Sequence, residues 1–392
     1  EEDSYAGQAY LILGGAGGWS MDTPLTSSDA SFLGEDAYDY AGYSVSGAGD
    51  VDGDGYDDIL VGAPWNSEVA DYAGQAYLVL GGSVGWTMDT TLASSDASFL
   101  GESTQDHAGV TVSGAGDVNG DGYDDILIGA NESDKAAVDA GEAYLVLGGP
   151  TGWAVDLSLA ASDASFLGEA DEDGAGRSVS GAGDVNGDGY DDILIGAWSN
   201  DEGGVGAGQA YLVFGGASGW LMDASLASSD ASFLGEAERS AAGFSVSGAG
   251  DVNGDGNDDI LIGAWEDDEV DGNAGQTYLI LGTAGGWAMD TPLAASDASF
   301  LGEEHSDNSG VSVSGAGDVN GDGYDDILIG ANGSDEMDSY AGQAYLVFGG
   351  AGGWSMDTSL ASADASFLGE AFADYAGQSV SSAGDVDGDG LA

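Results

Sequence analysis

Six times along this sequence an Asp-Val-Asp/Asn-Gly-Asp-Gly segment recurs, beginning at Asp50, Asp117, Asp184, Asp251, Asp318 and Asp385. In the first copy, Asp50, Asp52, Asp54 and Asp58 fall at positions 1, 3, 5 and 9. Their carboxylates can converge on one ion, and the carbonyl of Tyr56 at position 7 can add a backbone oxygen. Gly55 at position 6 permits the turn that wraps the chain around that ion. Hard oxygen ligands in a flexible loop suit calcium better than magnesium, which demands a tight octahedron, and better than softer metals. The same register gives Asp117, Asn119, Asp121, Tyr123 and Asp125, then Asp184, Asn186, Asp188, Tyr190 and Asp192. Asp251, Asn253, Asp255, Asn257 and Asp259 follow, and after them Asp318, Asn320, Asp322, Tyr324 and Asp326. A sixth loop has Asp385, Asp387 and Asp389 but reaches the end of the sequence before position 9. An EF-hand shares the early part of this pattern, yet it needs Glu at position 12, where Val61 and Ile128 stand. Asp-Gly segments also punctuate hairpins. Five complete copies with four or five acids in nine residues, left without a cation, would repel strongly at close range.

The elements that must position these loops repeat with them, at a period of 67 residues. Within one unit, Tyr43–Ala48 alternates small residues and suits an innermost strand. Asp58–Ala63 is apolar on both faces, as a strand sandwiched between sheets would be. Gln75–Leu80 reads as a third strand, and Ser98–Leu100 as a short outer one beyond a long connection bearing Trp86, Met88 and Leu92. Apolar residues do not recur at helical spacing, and β-branched and aromatic residues cluster between glycines. The expectation is an all-β fold: a β-propeller of about six four-stranded blades. A parallel β-solenoid, the rival, would have a far shorter period. Full blades are assigned to residues 42–108, 109–175, 176–242, 243–309 and 310–376. One closing blade is split between residues 1–41 (third strand Gln8–Leu13 and outer strand Ser31–Leu33) and 377–392 (inner strand Gln378–Ala383 and truncated loop). That blade lacks a second strand, so self-association or a longer parent array is expected to complete it.

Loop and strands together resemble the FG-GAP repeats of integrin alpha-subunit propellers and of bacterial integrin-like surface proteins. The resemblance runs from Gly42–Gly49 through the aspartate loop to Asp58–Pro64 and the Tyr77 strand, and it recurs over essentially the whole chain. It implies an extracellular, calcium-stabilised propeller, often concerned with adhesion, whose metal loop joins a blade's first two strands. Three features depart from the family pattern. Its Phe-Gly pair becomes Ala41-Gly42, Ala108-Gly109 and Ser309-Gly310; its Gly-Ala-Pro ending survives only at Gly62-Ala63-Pro64; and its seven blades are here about six.

Composition narrows the function. Against 71 acidic residues stand 3 basic ones, a formal net charge of -68, which excludes nucleic acid and anionic membranes as direct partners by repulsion. Cysteine is absent, so there is no disulfide or thiolate chemistry, and no apolar run is long enough to insert in a membrane. The opening Glu1-Glu2-Asp3 has no signal-peptide pattern, as in a processed secreted protein. The repeats diverge in two sets of stretches. One set follows the second strand, at residues 65–72, 131–139, 198–206, 265–273 and 332–340. The other precedes the inner strand, at residues 36–40, 103–107, 170–174, 237–241 and 304–308. Both should lie at the end of each blade opposite the metal loop, and recognition of a protein or glycan is placed there. The repeated Trp19, Trp86, Trp153, Trp220, Trp287 and Trp354 are read as rings packed under the long connection, with a sugar platform as the alternative. His107 and His305 are read as isolated, and Lys135, Arg177 and Arg239 as makers of weak surface pairs. No blade carries a nucleophile or acid–base pair that the others lack. The sequence therefore points to a non-enzymatic, secreted or cell-surface binding or structural module. A lectin-like propeller, or a hydrolase or lyase acting on polysaccharide or lipid, is the alternative.

Overall fold

A computed structural model of the chain describes residues 5–16, 23–270 and 272–392. The described residues are all-β apart from six single-turn 3-10 segments, and they form six sheets. The first complete repeat shows the pattern. Ser44–Gly49 pairs antiparallel with Asp58–Ala63, that strand with Gln75–Val79, and that one with Ala97–Leu100. Sequence neighbours are thus neighbours in space, the order of an up-and-down blade.

Burial follows from composition. Asp125–Ala130, Asp192–Ala197 and Asp259–Ala264 are buried at every position, as their doubly apolar sequences require. Tyr77, Tyr144, Tyr211, Tyr278 and Tyr345 of the third strands are the largest fully buried side chains. The inner strands are half-buried, and glycine is obligatory near the end of the second strand. A Cβ on Gly62 would lie 2.1 Å from the carbonyl oxygen of Gly109, so the backbone of the next repeat approaches too closely for any side chain.

The chain divides into two compact units. The first comprises Glu1–Val179, Gly216–Ala227 and Asp385–Asp389, and contains the N-terminal sheet and those of the first two complete repeats. Its core brings Val51, Leu60 and Leu78 together with Val112, Ile126 and Tyr144. The second comprises Ser180–Gly215, Ser228–Gly384 and Gly390–Ala392, with the sheets of the fourth and fifth repeats. Its core joins Val185, Leu194 and Leu212 to Val246, Ile262 and Tyr278.

Two features were not foreseen. Among the described residues, the long connections of the five complete repeats each contribute a two-residue strand that pairs in parallel with the outer strand of the preceding sheet, as Leu157–Ser158 does with Phe99–Leu100. A 3-10 turn then follows, such as Leu159–Ala161, and buries its leucine. The Gln378–Ala383 segment, expected as an inner strand, joins no sheet among the described residues. Elsewhere the inner strand pairs with the Asp-Ile-Leu strand after the loop, and no such segment stands in this sequence after Leu391. The N-terminal strands Gln8–Leu11 and Ala30–Leu33 do form and pair.

Candidate metal centre

Each complete aspartate loop is the hairpin between an inner and a second strand. In the first repeat the ladder shifts register between Gly47 and Gly49, and the pair Gly49–Asp58 closes the loop. Val51 is fully buried and pins the loop to the core, leaving its flanking aspartates at the surface. Gly55 has φ +92°, a left-handed backbone that favours glycine, so the turn expected at position 6 is present.

The carboxylates are held by backbone N–H groups of their own loop. Asp54 N–H donates to Asp50 Oδ1 at 2.9 Å and to Asp52 Oδ1 at 3.0 Å. Gly55 N–H donates to Asp50 Oδ2 at 2.9 Å, and Tyr56 N–H to Asp54 Oδ1 at 3.0 Å. A carboxylate oxygen accepting one N–H keeps a second lone pair for another partner. Asp50, Asp52 and Asp54 each present an oxygen within 4.8 Å of the others, and Asp385, Asp387 and Asp389 do the same. Where position 3 is Asn the arrangement persists in the second, fourth and fifth loops, whereas in the third Asn186 Nδ2 donates to Asp192 Oδ2 at 3.4 Å. Asp121 N–H donates to Asp117 Oδ1 and to Asn119 Oδ1, and Asp322 N–H to Asp318 Oδ1 and Asn320 Oδ1. Asn257 N–H bonds Asp255 Oδ1 as Tyr56 N–H bonds Asp54, so the tyrosine ring is not needed at position 7.

Position 9 is buried, and its aspartate is not among the three whose oxygens converge in the first loop. Asp58, Asp125, Asp192, Asp259 and Asp326 are at most 1% exposed. Asp125 accepts from Val118 N–H at 2.9 Å and from Gly148 N–H at 2.7 Å, tying loop, second strand and the end of the third strand together. Burial pushes its carboxyl from the usual 3.8 up to about 7; those N–H bonds oppose the rise, and the charges of Asp121 and Asp117 add to it. Asp192 and Asp259 are pushed up to about 7 and Asp58 to about 6, burial again leading. Converging carboxylates in a loop that also holds a buried one whose charge is costly fit a hard cation.

The aspartate at position 8 belongs to the site as well. Asp124 Oδ2 accepts from Asp50 N–H of the preceding loop at 2.7 Å, Asp258 Oδ2 from Asp184 N–H at 2.9 Å and Asp325 Oδ2 from Asp251 N–H at 2.9 Å. The loops are therefore linked pairwise. The sequence signal was the Asp-Asp doublet ending each loop, of which only the second member had been assigned.

At the other end of the sheets the two sets of divergent stretches meet. Gln105 and His107 donate N–H bonds to the carbonyls of Asp71 and Tyr72, and Ser306 and Asn308 to those of Gly272 and Asn273. Two expectations there need correction. His107 is not isolated: its Nδ1 lies 3.2 Å from Glu132, and its ring faces Trp65 and Tyr72. Lys135 is no weak surface pair but sits among Glu102, Glu142 and Asp223. The tryptophans of the connections are packed, with Trp86, Trp153 and Trp287 edge-on to Phe32, Phe99 and Phe233. Trp19 lies outside the described residues.

The FG-GAP repeat family model matches residues 41–79, 108–146, 175–213, 242–280 and 309–347, each time spanning inner strand, loop, second strand and third strand. Similar proteins include integrin alpha pat-2 of Caenorhabditis briggsae, 27% identical over 66% of this chain and 21% of that protein. Integrin alpha-PS2 of Drosophila melanogaster is 29% identical over 63% of this chain and 16% of its own length. Human integrin alpha-IIb is 32% identical over 64% of this chain and 22% of its own. The chain thus spans about a fifth of the length of these relatives. With its five matched repeats in register with successive antiparallel sheets, this chain is an integrin-like FG-GAP repeat protein, an all-β propeller of about six blades.

Proposed function

We propose that the chain is an extracellular, calcium-stabilised binding or structural module, serving adhesion or a surface, filament or matrix assembly without catalysis. The observation that carries the reading is the convergence of Asp50, Asp52 and Asp54 in a loop whose position 9 aspartate, Asp58, is buried, with backbone N–H groups holding the position 1 aspartate in the later loops as well. Positions 1, 3, 5 and 9 of each loop, with the position 7 carbonyl, are the proposed ligands. Bound calcium supplies the positive charge that offsets these carboxylates. Asp58 and its counterparts then hold the inner and second strands in one hairpin, because the same carboxylate bonds both loop and sheet.

The integrin names of the relatives support an adhesive role outside the cell. Among the described residues, no helix is long and apolar enough to cross a membrane. Recognition of a protein or glycan is assigned to the divergent stretches, where side chains differ between repeats while the backbone bonds between stretches are kept.

At about 100-fold calcium over Kd, one site contributes roughly 2.7 kcal/mol, and five independent sites roughly 13 kcal/mol. That is comparable to the whole stability of a typical domain. The melting temperature is therefore expected to drop steeply when millimolar calcium is replaced by excess chelator. An unchanged melting temperature would refute the proposed function.

A further inference from the structure

The N-terminal sheet leaves open an edge that the complete repeats close. In the second repeat the third strand, Glu142–Val146, lies between Asp125–Ala130 and Ala164–Leu167. Gln8–Leu11 corresponds to that third strand and pairs with Ala30–Leu33 on one side. Among the described residues no strand joins its other side. Leu11 accepts from the Asp29 N–H on the outer-strand side. Backbone groups alternate along a strand, so the N–H and C=O of Tyr10 point to the open edge.

The edge already has the geometry of a paired strand. Tyr10 Oη donates to Gln8 Oε1 at 2.8 Å, and Gln8 Nε2 to Asp89 Oδ1 at 3.2 Å. Tyr77 bonds Gln75 at 3.0 Å, and Gln75 bonds Asp156 at 3.5 Å, in the same way in the next repeat. Only the cover differs. Tyr10 is 39% exposed, whereas Tyr77, Tyr144, Tyr211, Tyr278 and Tyr345 are at most 1% exposed. On the neighbouring inner strand Val45 is 57% exposed, whereas Val112, Val179, Val246 and Val313 at the same position are at most 7% exposed. Val112 shares a core with Leu60 of the preceding second strand. A second strand therefore covers two sheets at once, by pairing within its own and packing on the next.

We propose that the open edge of Gln8–Leu11 docks an extended segment from a partner polypeptide, with the chemistry of this chain's own second strands: Asp-Ile-Leu-Ile-Gly-Ala. Main-chain bonds to the edge hold such a segment, and side chains against the neighbouring sheet select it. Apolar residues are needed on both faces, since one of them meets Val45. Glycine is needed at the fifth place. A Cβ on Gly62, Gly129 or Gly196 would strike the carbonyl of Gly109, Gly176 or Gly243, and Gly42 stands at the same position for the docked strand. The ladder of the second repeat sets the register. Residues equivalent to Ile128, Leu127 and Gly129 fall opposite Tyr10, Leu11 and Ala9. A folded second copy of this chain has no such strand unpaired, because all five are held within their own sheets. The edge is preformed, so the ordering cost falls on the incoming segment alone.

The test uses the full chain in saturating calcium and a fluorescently labelled synthetic peptide with the sequence of residues 124–131. Anisotropy should show saturable binding, and hydrogen exchange at the Tyr10 amide should slow when the peptide is bound. Val45→Asp, at an exposed position of the free chain, should weaken binding at least about tenfold by burying a charge under the docked strand. The peptide carrying Gly129→Leu should also bind at least about tenfold more weakly, because its side chain meets backbone. Absence of saturable binding overturns the proposal, as does binding that leaves Tyr10 exchange unchanged. A chain that sediments as a dimer, with Tyr10 protected before peptide is added, means that a second copy fills the edge, and overturns it too. If Val45→Asp does not fold, the altered peptide decides on the wild-type chain: the tenfold loss supports the site, and equal affinity overturns it.

Discussion

The position 9 aspartate is where loop chemistry and fold energetics meet. Its oxygens accept N–H bonds from the loop and from the third-strand end, so its burial is dictated by the hairpin itself. In the folded, calcium-free chain burial holds Asp125, Asp192 and Asp259 near pKa 7, above their unfolded value of about 3.8. A carboxyl whose folded pKa is raised binds its proton more tightly when folded. Its stabilising contribution is complete below the unfolded pKa and is lost as pH climbs through the folded one. The calcium-free melting temperature should therefore fall from about pH 4 to about pH 7. Calcium affinity should rise across the same window, with protons released on binding, because ligands must be ionised. Calorimetry in buffers of different ionisation enthalpy measures that release; affinity independent of pH would contradict the assignment. The convergence of positions 1, 3 and 5 in the first loop was legible because their spacing is a local property of the chain. Asp124 was not, since its partner is the Asp50 amide one repeat earlier, and a lone repeat gives no sign of that contact. Lys135 was misread for a like reason: two of the three acids around it, Glu102 and Asp223, come from distant segments.

Among the elements, the strands of each sheet could be read directly from glycine-bounded apolar runs. The long connection could not. Its only marks were Trp, Met and Leu at irregular spacing, and its two-residue strand is formed by pairing with an outer strand of the preceding repeat. That pairing has an energetic role. Phe99 is 2% exposed beneath Trp153, whereas Phe367, in the last outer strand, is 59% exposed, with no following repeat in this sequence to supply a connection. Trp153 Nε1 also donates to Gly149 O at 3.0 Å, fixing the ring over the sheet edge. Trp153→Ala should cost about 3 kcal/mol, the low end for a large aromatic because the ring is partly exposed. Chemical denaturation in saturating calcium checks this, and a loss under about 1 kcal/mol would mean that the ring is not a seal. The missing Gln378–Ala383 strand follows the same rule: a strand forms where its ladder partner exists.

At the scale of the whole molecule, a net charge of -68 works against compactness through self-repulsion, and the loops hold only part of the 71 acidic residues. Fold class and period were readable because repetition amplifies a weak signal. The partner was not, because recognition is assigned to the stretches where the repeats disagree. The account stands or falls on the loops binding calcium. Anomalous diffraction from crystals grown in millimolar calcium tests this most directly. A peak is predicted inside each complete loop, bounded by Asp50, Asp52, Asp54 and Asp58 in the first and by their counterparts in the other four. Loops without anomalous density at that calcium level would contradict the account.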